Sequence, residues 1–184
     1  MLRIRSAAVG VLVLATVLGS IVDGGPHDAR ADETSPLVGS WTNLAADGGR
    51  AAIETEVDRA IAPLFSLVRT IARRRILENN PPIGRLEIRI EGGRIHLDLD
   101  HGRVTRTTAN EWTNARSRNG DAIRVRARVV SPTSLKLEQR AAEGGSRTLI
   151  RLEPNGTLVQ DVTIDADQLP DTIHYTLRYR KQGA

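Results

Sequence analysis

Residues 85–108, RLEIRIEGGRIHLDLDHGRVTRTT, decide how the rest of the chain is read. Leu86, Ile88 and Ile90 alternate with Glu87, Arg89 and Glu91. Beyond Gly92-Gly93, the residues Ile95, Leu97 and Leu99 alternate with His96, Asp98 and Asp100. Alternation of period two, broken by a glycine pair, predicts strand, tight turn and strand. With Gly92-Gly93 as a two-residue loop, Ile90 faces Ile95, Ile88 faces Leu97 and Leu86 faces Leu99, so one side of the hairpin is apolar throughout. An antiparallel sheet with one dry face covers it by curling into a barrel or by packing on a helix or second sheet.

The same grammar runs to the C-terminus. Turn signals stand at Gly92-Gly93, His101-Gly102, Asn119-Gly120, Ser131-Pro132, Gly144-Gly145 and Asn155-Gly156. They divide the sequence into strands near 85–91, 94–100, 103–109, 111–118, 121–130, 133–142, 146–153, 157–165 and 172–181. A further strand around Val38-Gly39-Ser40-Trp41-Thr42 brings the total to about ten. The expected fold is mainly β: an antiparallel up-and-down barrel, since closing a meander removes its exposed edges.

Between the first strand and this meander the period changes. Ile53, Val57, Ile61, Leu64, Val68 and Ile71 recur at spacings of four and three, which predicts an amphipathic helical insertion over about 50–78. Pro63 either kinks one helix or starts a second, giving a pair of about 11 and 16 residues, and Asn79-Asn80-Pro81-Pro82 ends the segment. The cluster Arg73-Arg74-Arg75 fits a helix C-terminus, where cations complement the dipole; it also fits contact with a membrane surface.

The first residues read as an address. Arg3 and Arg5 precede a mostly apolar run from Ala7 to Val22, and Ala29-Arg30-Ala31 has the A-x-A form of a cleavage site. The expectation is a signal peptide over 1–31, cleaved after Ala31, and a secreted or periplasmic protein. The run is short for a span that needs roughly 20 residues. Removing 31 of the 184 residues leaves 153, a single domain over 32–184. It has no cysteine, hence no disulfide and no cysteine-linked lipid. The mature part carries 23 basic and 20 acidic residues, a net charge of +3. With five aromatic residues in all and arginines interleaved with acids along strands, it lacks the clustered basic, stacking surface of a nucleic-acid binder.

Gly39-Ser40-Trp41 in the first strand, helices directly after it and a meander ending in Tyr175-Thr176-Leu177-Arg178-Tyr179-Arg180 resemble the order of elements in the calycin superfamily, particularly the fatty-acid-binding proteins. The resemblance implies a lipocalin-like barrel enclosing a cavity for an apolar or amphipathic ligand. It also implies that the G-x-W tryptophan closes one barrel end against an arginine of a late strand, here Trp41 with Arg178 or Arg180.

Carrying the hairpin registers further nominates interior residues. Pairing across His101-Gly102 sets Arg106 beside Leu97; pairing across Asn119-Gly120 sets Arg116 opposite Ile123, Asn114 opposite Val125 and Trp112 opposite Ala127. Across Gly144-Gly145, Leu152 faces Leu137 and Ile150 faces Gln139. The final strand turns Ile173, Tyr175, Leu177 and Tyr179 to one side. The candidate ligand-binding set is therefore Arg106, Trp112, Asn114, Arg116, Tyr175 and Tyr179, with the arginines meeting the carboxylate or phosphate of an amphiphile. A one-residue slip would put both arginines in water instead.

His96, Asp98, Asp100 and His101 form an H-x-D-x-D-H string, with His174 as a distant companion. It reads as the solvated face of a hairpin before it reads as a metal site. No serine lies in a nucleophile motif and no cysteine nucleophile exists. The expectation is an exported, non-enzymatic binder of a hydrophobic or amphipathic small molecule, without cofactor or metal, whose helix could touch a membrane. The alternative is a cell-envelope structural or interaction protein with a filled barrel.

Overall fold

The computed structural model describes residues 35–100, 103–117 and 120–183. The expected signal peptide lies outside them. The elements are β1 (Gly39–Asn43), α1 (Arg50–Ile61), α2 (Ser66–Asn79), β2 (Arg85–Glu91), β3 (Arg94–Leu99), β4 (Arg103–Thr108), β5 (Thr113–Arg116), β6 (Ala122–Ser131), β7 (Ser134–Ala141), β8 (Gly144–Leu152), β9 (Leu158–Ala166) and β10 (Ile173–Lys181).

All ten strands join one antiparallel sheet in the order β4-β3-β2-β1-β10-β9-β8-β7-β6-β5. Each strand neighbours its successor except β4, since β4 and β5 are the two edges of the sheet, and β1, flanked by β2 and β10, joins the first strand to the last. The sheet curls into a nearly closed barrel. Its seam lies between β4 and β6, where Ala109 bridges Ala127 and the Asn110 amide donates to the Ala127 carbonyl at 2.8 Å. Across the same seam the Thr107 and Thr113 hydroxyls lie 3.1 Å apart.

The alternation read from residues 85–99 is realised residue for residue: Leu86 pairs Leu99, Ile88 pairs Leu97 and Ile90 pairs Ile95. All six are buried and contribute to one continuous core with the inward rows of the other strands. Inward-facing Ile and Leu side chains and the β-branched content of the strands make the sheet the apolar lining of the barrel.

The two barrel ends are closed differently. At one end the chain before β1 crosses beneath the strands: Ser35 Oγ donates to the Pro132 carbonyl at 3.0 Å, and Leu37 and Trp41 are fully buried. Trp41 Nε1 donates to the Leu37 carbonyl at 3.0 Å, satisfying the one polar atom of the ring. The cation over Trp41 is Lys181, its Nζ 5.5 Å from the ring centroid. The expected Arg178 is instead outward, bonded to Glu153 at 3.1 Å, because Lys181 is the residue that pairs with Trp41 in the β1–β10 register; Arg180 is exposed. Gly39 of the G-x-W has φ +132°, and a Cβ there would sit 3.0 Å from Lys181 Cε, so glycine lets the lysine reach over the ring.

The helix pair covers the other end. Asn43 sets its entrance, donating from Nδ2 to the Ile83 carbonyl at 2.9 Å and accepting from the Ala45 amide at 2.8 Å. Asp47 then accepts from the Gly49 and Ala51 amides and caps α1. The chain does not continue as one helix: α1 ends at Ile61 and α2 begins at Ser66, as Pro63 allows. The single apolar stripe expected from Ile53 to Ile71 is therefore corrected. α1 buries Ile53, Val57, Ala60 and Ile61, but α2 buries Ala72 and Ile76 and leaves Val68 and Ile71 exposed, because the chain reverses between the helices. Arg69 donates to the Ala62 and Leu64 carbonyls at 2.6 and 2.8 Å, satisfying groups the end of α1 leaves open. Arg73 bonds Asp58 at 2.7 Å and Glu54 at 3.2 Å, so one member of the arginine cluster ties α2 to α1.

Candidate functional site

The barrel interior is the candidate site. A barrel of eight strands is just wide enough for its own side chains to fill, and diameter grows with strand number. Ten strands therefore enclose a wider interior. The inward rows are not uniform around it. β2, β3, β9 and β10 turn mostly leucine, isoleucine and tyrosine inward, whereas β4 to β8 mix Ile123, Val125, Leu135, Leu137 and Ile150 with Thr105, Thr107, Ala115, Ala127, Gln139, Ser146 and Thr148. The β4–β8 wall thus interleaves bulky apolar side chains with short ones, several with hydroxyls.

Of the residues nominated from sequence, Tyr175 and Tyr179 are buried on the inner face. The Tyr179 hydroxyl donates to Gln160 Oε1 at 2.7 Å, an inward pair toward the Trp41 end. The placement of the other four is corrected. Leu99 pairs with Arg103, which leaves three residues in the β3–β4 connection, with Asp100 at φ +51°. Arg106 therefore pairs with His96, and both lie on the outer face while Thr105 and Thr107 turn inward. In the β5–β6 connection Arg116 pairs with Ala122 and the Ser117 amide donates to the Asp121 carbonyl at 2.8 Å, making the loop five residues long. Asn114 and Arg116 consequently face water. Trp112 is half-buried against the outside of the barrel, its centroid 4.6 Å from Arg126, 4.8 Å from Arg140 and 5.3 Å from Arg124.

A third register is displaced without changing sides. The β7–β8 loop is Ala142-Glu143 rather than Gly144-Gly145, so Leu137 pairs with Thr148 and Gln139 with Ser146, a slide of four positions that keeps Leu137 and Gln139 inward. Gln139, which the sequence turned inward without nominating it for the site, is an interior amide. It is 2% exposed, and neither Oε1 nor Nε2 has a hydrogen-bond partner. Its signal was in the strand itself, where Leu135, Leu137 and Gln139 occupy one row.

On the outer face, Arg126 Nη2 lies 2.6 Å from Glu138 Oε2 and Lys136 Nζ lies 3.1 Å from Oε1. A recess of about 500 Å³ at this end of β7 and β8 is lined by Lys136, Glu138, Arg147 and Asp165 and also by the inward Gln139 and Ser146. Burial alone would raise the Glu138 carboxyl, but Arg126 and Lys136 outweigh it and hold it below the ordinary value. A second recess of about 400 Å³ lies where Ala51, Ala52 and Thr55 of α1 meet His174, Tyr175 and Thr176 of β10. Short side chains on α1 leave this gap between helix and wall, with the inward Tyr175 at its floor.

Among the described residues no group of three or more His, Cys, Asp or Glu side chains is placed to hold a metal ion; His101 of the H-x-D-x-D-H string lies outside them. His96 lies between Arg89 and Arg106 in register. Burial, then those two cations, push its imidazole below its ordinary value, so it sits neutral beside positive charge. His174 bonds Thr163 on β10's outer side.

The sequence matches no family model and no curated protein. The structure is similar to a Schistosoma mansoni fatty acid binding protein in complex with arachidonic acid, with TM-score 0.53 and 11% identity, covering 83% of this chain and 100% of that chain. Apo lipid binding protein 8 of Caenorhabditis elegans gives 0.52 and 14%, covering 84% and 100%. Fatty-acid-binding protein 1 of Echinococcus granulosus gives 0.51 and 13%, covering 80% and 98%. These are calycin barrels, so the fold expected from the sequence is the fold found. Identities this low speak to the fold alone.

Proposed function

We propose that this protein is an exported, non-enzymatic carrier of a hydrophobic or amphipathic small molecule held inside the barrel. The observation that carries the reading is a buried glutamine amide in the wall of a ten-stranded barrel, with nothing among the described residues to bond. A barrel filled by its own side chains would pair that amide. The structural neighbours include a fatty acid binding protein that holds arachidonic acid, which is consistent with lipid as cargo. The export half of the proposal rests on the leader-like residues 1–31.

The recess between α1 and β10 is the proposed way in, since it is where helix and barrel wall are least closely packed. The tip of the helix pair is proposed to rest on a membrane. Phe65 and Leu67 are 88% and 74% exposed there, Val68 and Ile71 continue the apolar patch, and Arg74 is exposed on the same helix.

Native mass spectrometry of the protein purified from its own host tests the carrier directly. Peaks above the protein mass that organic extraction removes, and that analyse as a lipid-like compound, are the expected result. A homogeneous bare mass, together with no uptake of fatty acid, alcohol or hydrocarbon by the extracted protein, would sink the proposal.

A further inference from the structure

We infer that Gln139, with Ser146 and Thr148 beside it, forms a polar subsite in the barrel wall that recognises an uncharged head group able both to donate and to accept hydrogen bonds, such as a hydroxyl or an amide. The inference rests on the carrier reading above and specifies what the carrier holds. Gln139 lies one inward position from the end of β7, and with Ser146 it lines the recess of about 500 Å³ at that end of the wall, so a ligand reaching this end of the barrel meets it with one end of the molecule.

The chain satisfies an inward amide where no ligand is involved: Gln160 accepts from the Tyr179 hydroxyl at 2.7 Å. Gln139 is equally buried and has both its donor and its acceptor open. An amide left unpaired in an apolar wall destabilises the fold, whereas leucine in its place would not, so the polar group is suited to something other than packing. Ser146 stands directly opposite Gln139 in the β7–β8 register, and Thr148 is the next inward residue of β8. Together they present carbonyl, amide and hydroxyl groups, a set that a hydroxyl or amide head can answer in both senses.

The chemistry disfavours an ionised head at this place. The register neighbours of Gln139 on the inner face are Val125 and Ser146, with Ile164 beyond Ser146, and none of them offers a positive charge. Of the cations lining the same recess from the outer face, Lys136 is paired with Glu138, Arg147 with Asp165, and Arg140 lies over Trp112. An anion here would lose its water without gaining a counter-charge. The arginines that sequence alone put inside, Arg106 and Arg116, are on the far side of the wall.

The test is titration of the delipidated full chain with dodecanol, dodecane and dodecanoate, at a pH where dodecanoate is ionised, in wild type and in Gln139→Leu. Wild type is expected to bind dodecanol at least about tenfold more tightly than either of the others, because a site with open hydrogen-bonding groups rejects analogues that cannot fill them. Gln139→Leu is expected to lose that preference, to bind dodecane at least as well as wild type, and to melt no lower. Dodecanoate binding more tightly than dodecanol to wild type overturns the inference and leaves the carrier standing, as does a preference for dodecanol that survives in Gln139→Leu. Wild type binding none of the three probes overturns the carrier reading and this inference with it.

Discussion

Glu138 shows how single residues organise the outer face of the barrel. Its side chain is 12% exposed and takes Arg126 at 2.6 Å and Lys136 at 3.1 Å, with Arg128 at 3.8 Å. Arg126 in turn lies over Trp112 beside Arg124 and Arg140, so one carboxylate sits among a crowd of cations. Because the folded state holds this carboxyl below its unfolded value, its stabilisation is complete at neutral pH and is lost as pH falls through the folded value. Glu138→Gln should lower stability at neutral pH by about 1–3 kcal/mol, since it leaves half-buried cations without their counter-charge. Urea melts across pH check this: the gap between variant and wild type should close in acid, and a gap that widens there would contradict the account. At this scale the sequence was least legible. Arg106, Asn114 and Arg116 are outside because sidedness in a strand depends on one residue more or less in the preceding loop, and His101-Gly102 and Asn119-Gly120 announce a turn without stating its length.

Elements were far more legible. The strands fall within a few residues of where alternation put them, and β2–β3 is correct to the pair, because the two-residue Gly92-Gly93 loop has both residues at positive φ, as its type requires. Gly144-Gly145 misled for the opposite reason. Both glycines lie in β8, where a Cβ on Gly144 would come 2.4 Å from the Asp165 carbonyl oxygen and one on Gly145 2.8 Å from that of Gln139; they mark close strand approach rather than the turn. α2 was legible as a helix but not in its orientation, because the spacing from Ile61 to Ile71 cannot report that the chain reverses at Pro63. The consequence is an apolar patch that stays exposed among the described residues. Phe65→Ser with Leu67→Ser should leave the melting temperature within about 2 °C of wild type, as exposed side chains contribute little to the fold. The same double variant should transfer a fluorescent fatty alcohol to anionic vesicles several-fold more slowly. Equal transfer rates would remove the proposed membrane contact.

At the scale of the whole molecule, the barrel is strongest where long strands pair over their full length and weakest at its seam. β8 and β9 share nine consecutive pairs, whereas β5 has four residues and the seam is held by the Ala109–Ala127 bridge to β6 and the Thr107–Thr113 hydroxyls between β4 and β5. Native-state hydrogen exchange should therefore find the amides of β4 and β5 exchanging at least about tenfold faster than those of β8 and β9, local opening following the least-tied backbone. Uniform protection around the barrel would contradict this. The width of the interior was not legible from alternation, since it depends on closure, which alternation alone does not state; the cavity was expected only through the resemblance carried by Gly39-Ser40-Trp41 and the order of elements.

The position of β1 between β2 and β10 also governs when the molecule can exist. Trp41 is made long before Lys181, the residue stacked above it. A nascent chain thus keeps one side of β1 unzipped until β10 has emerged. Closure of the barrel waits for that strand, and loss of β10 alone would leave β1 without its roof.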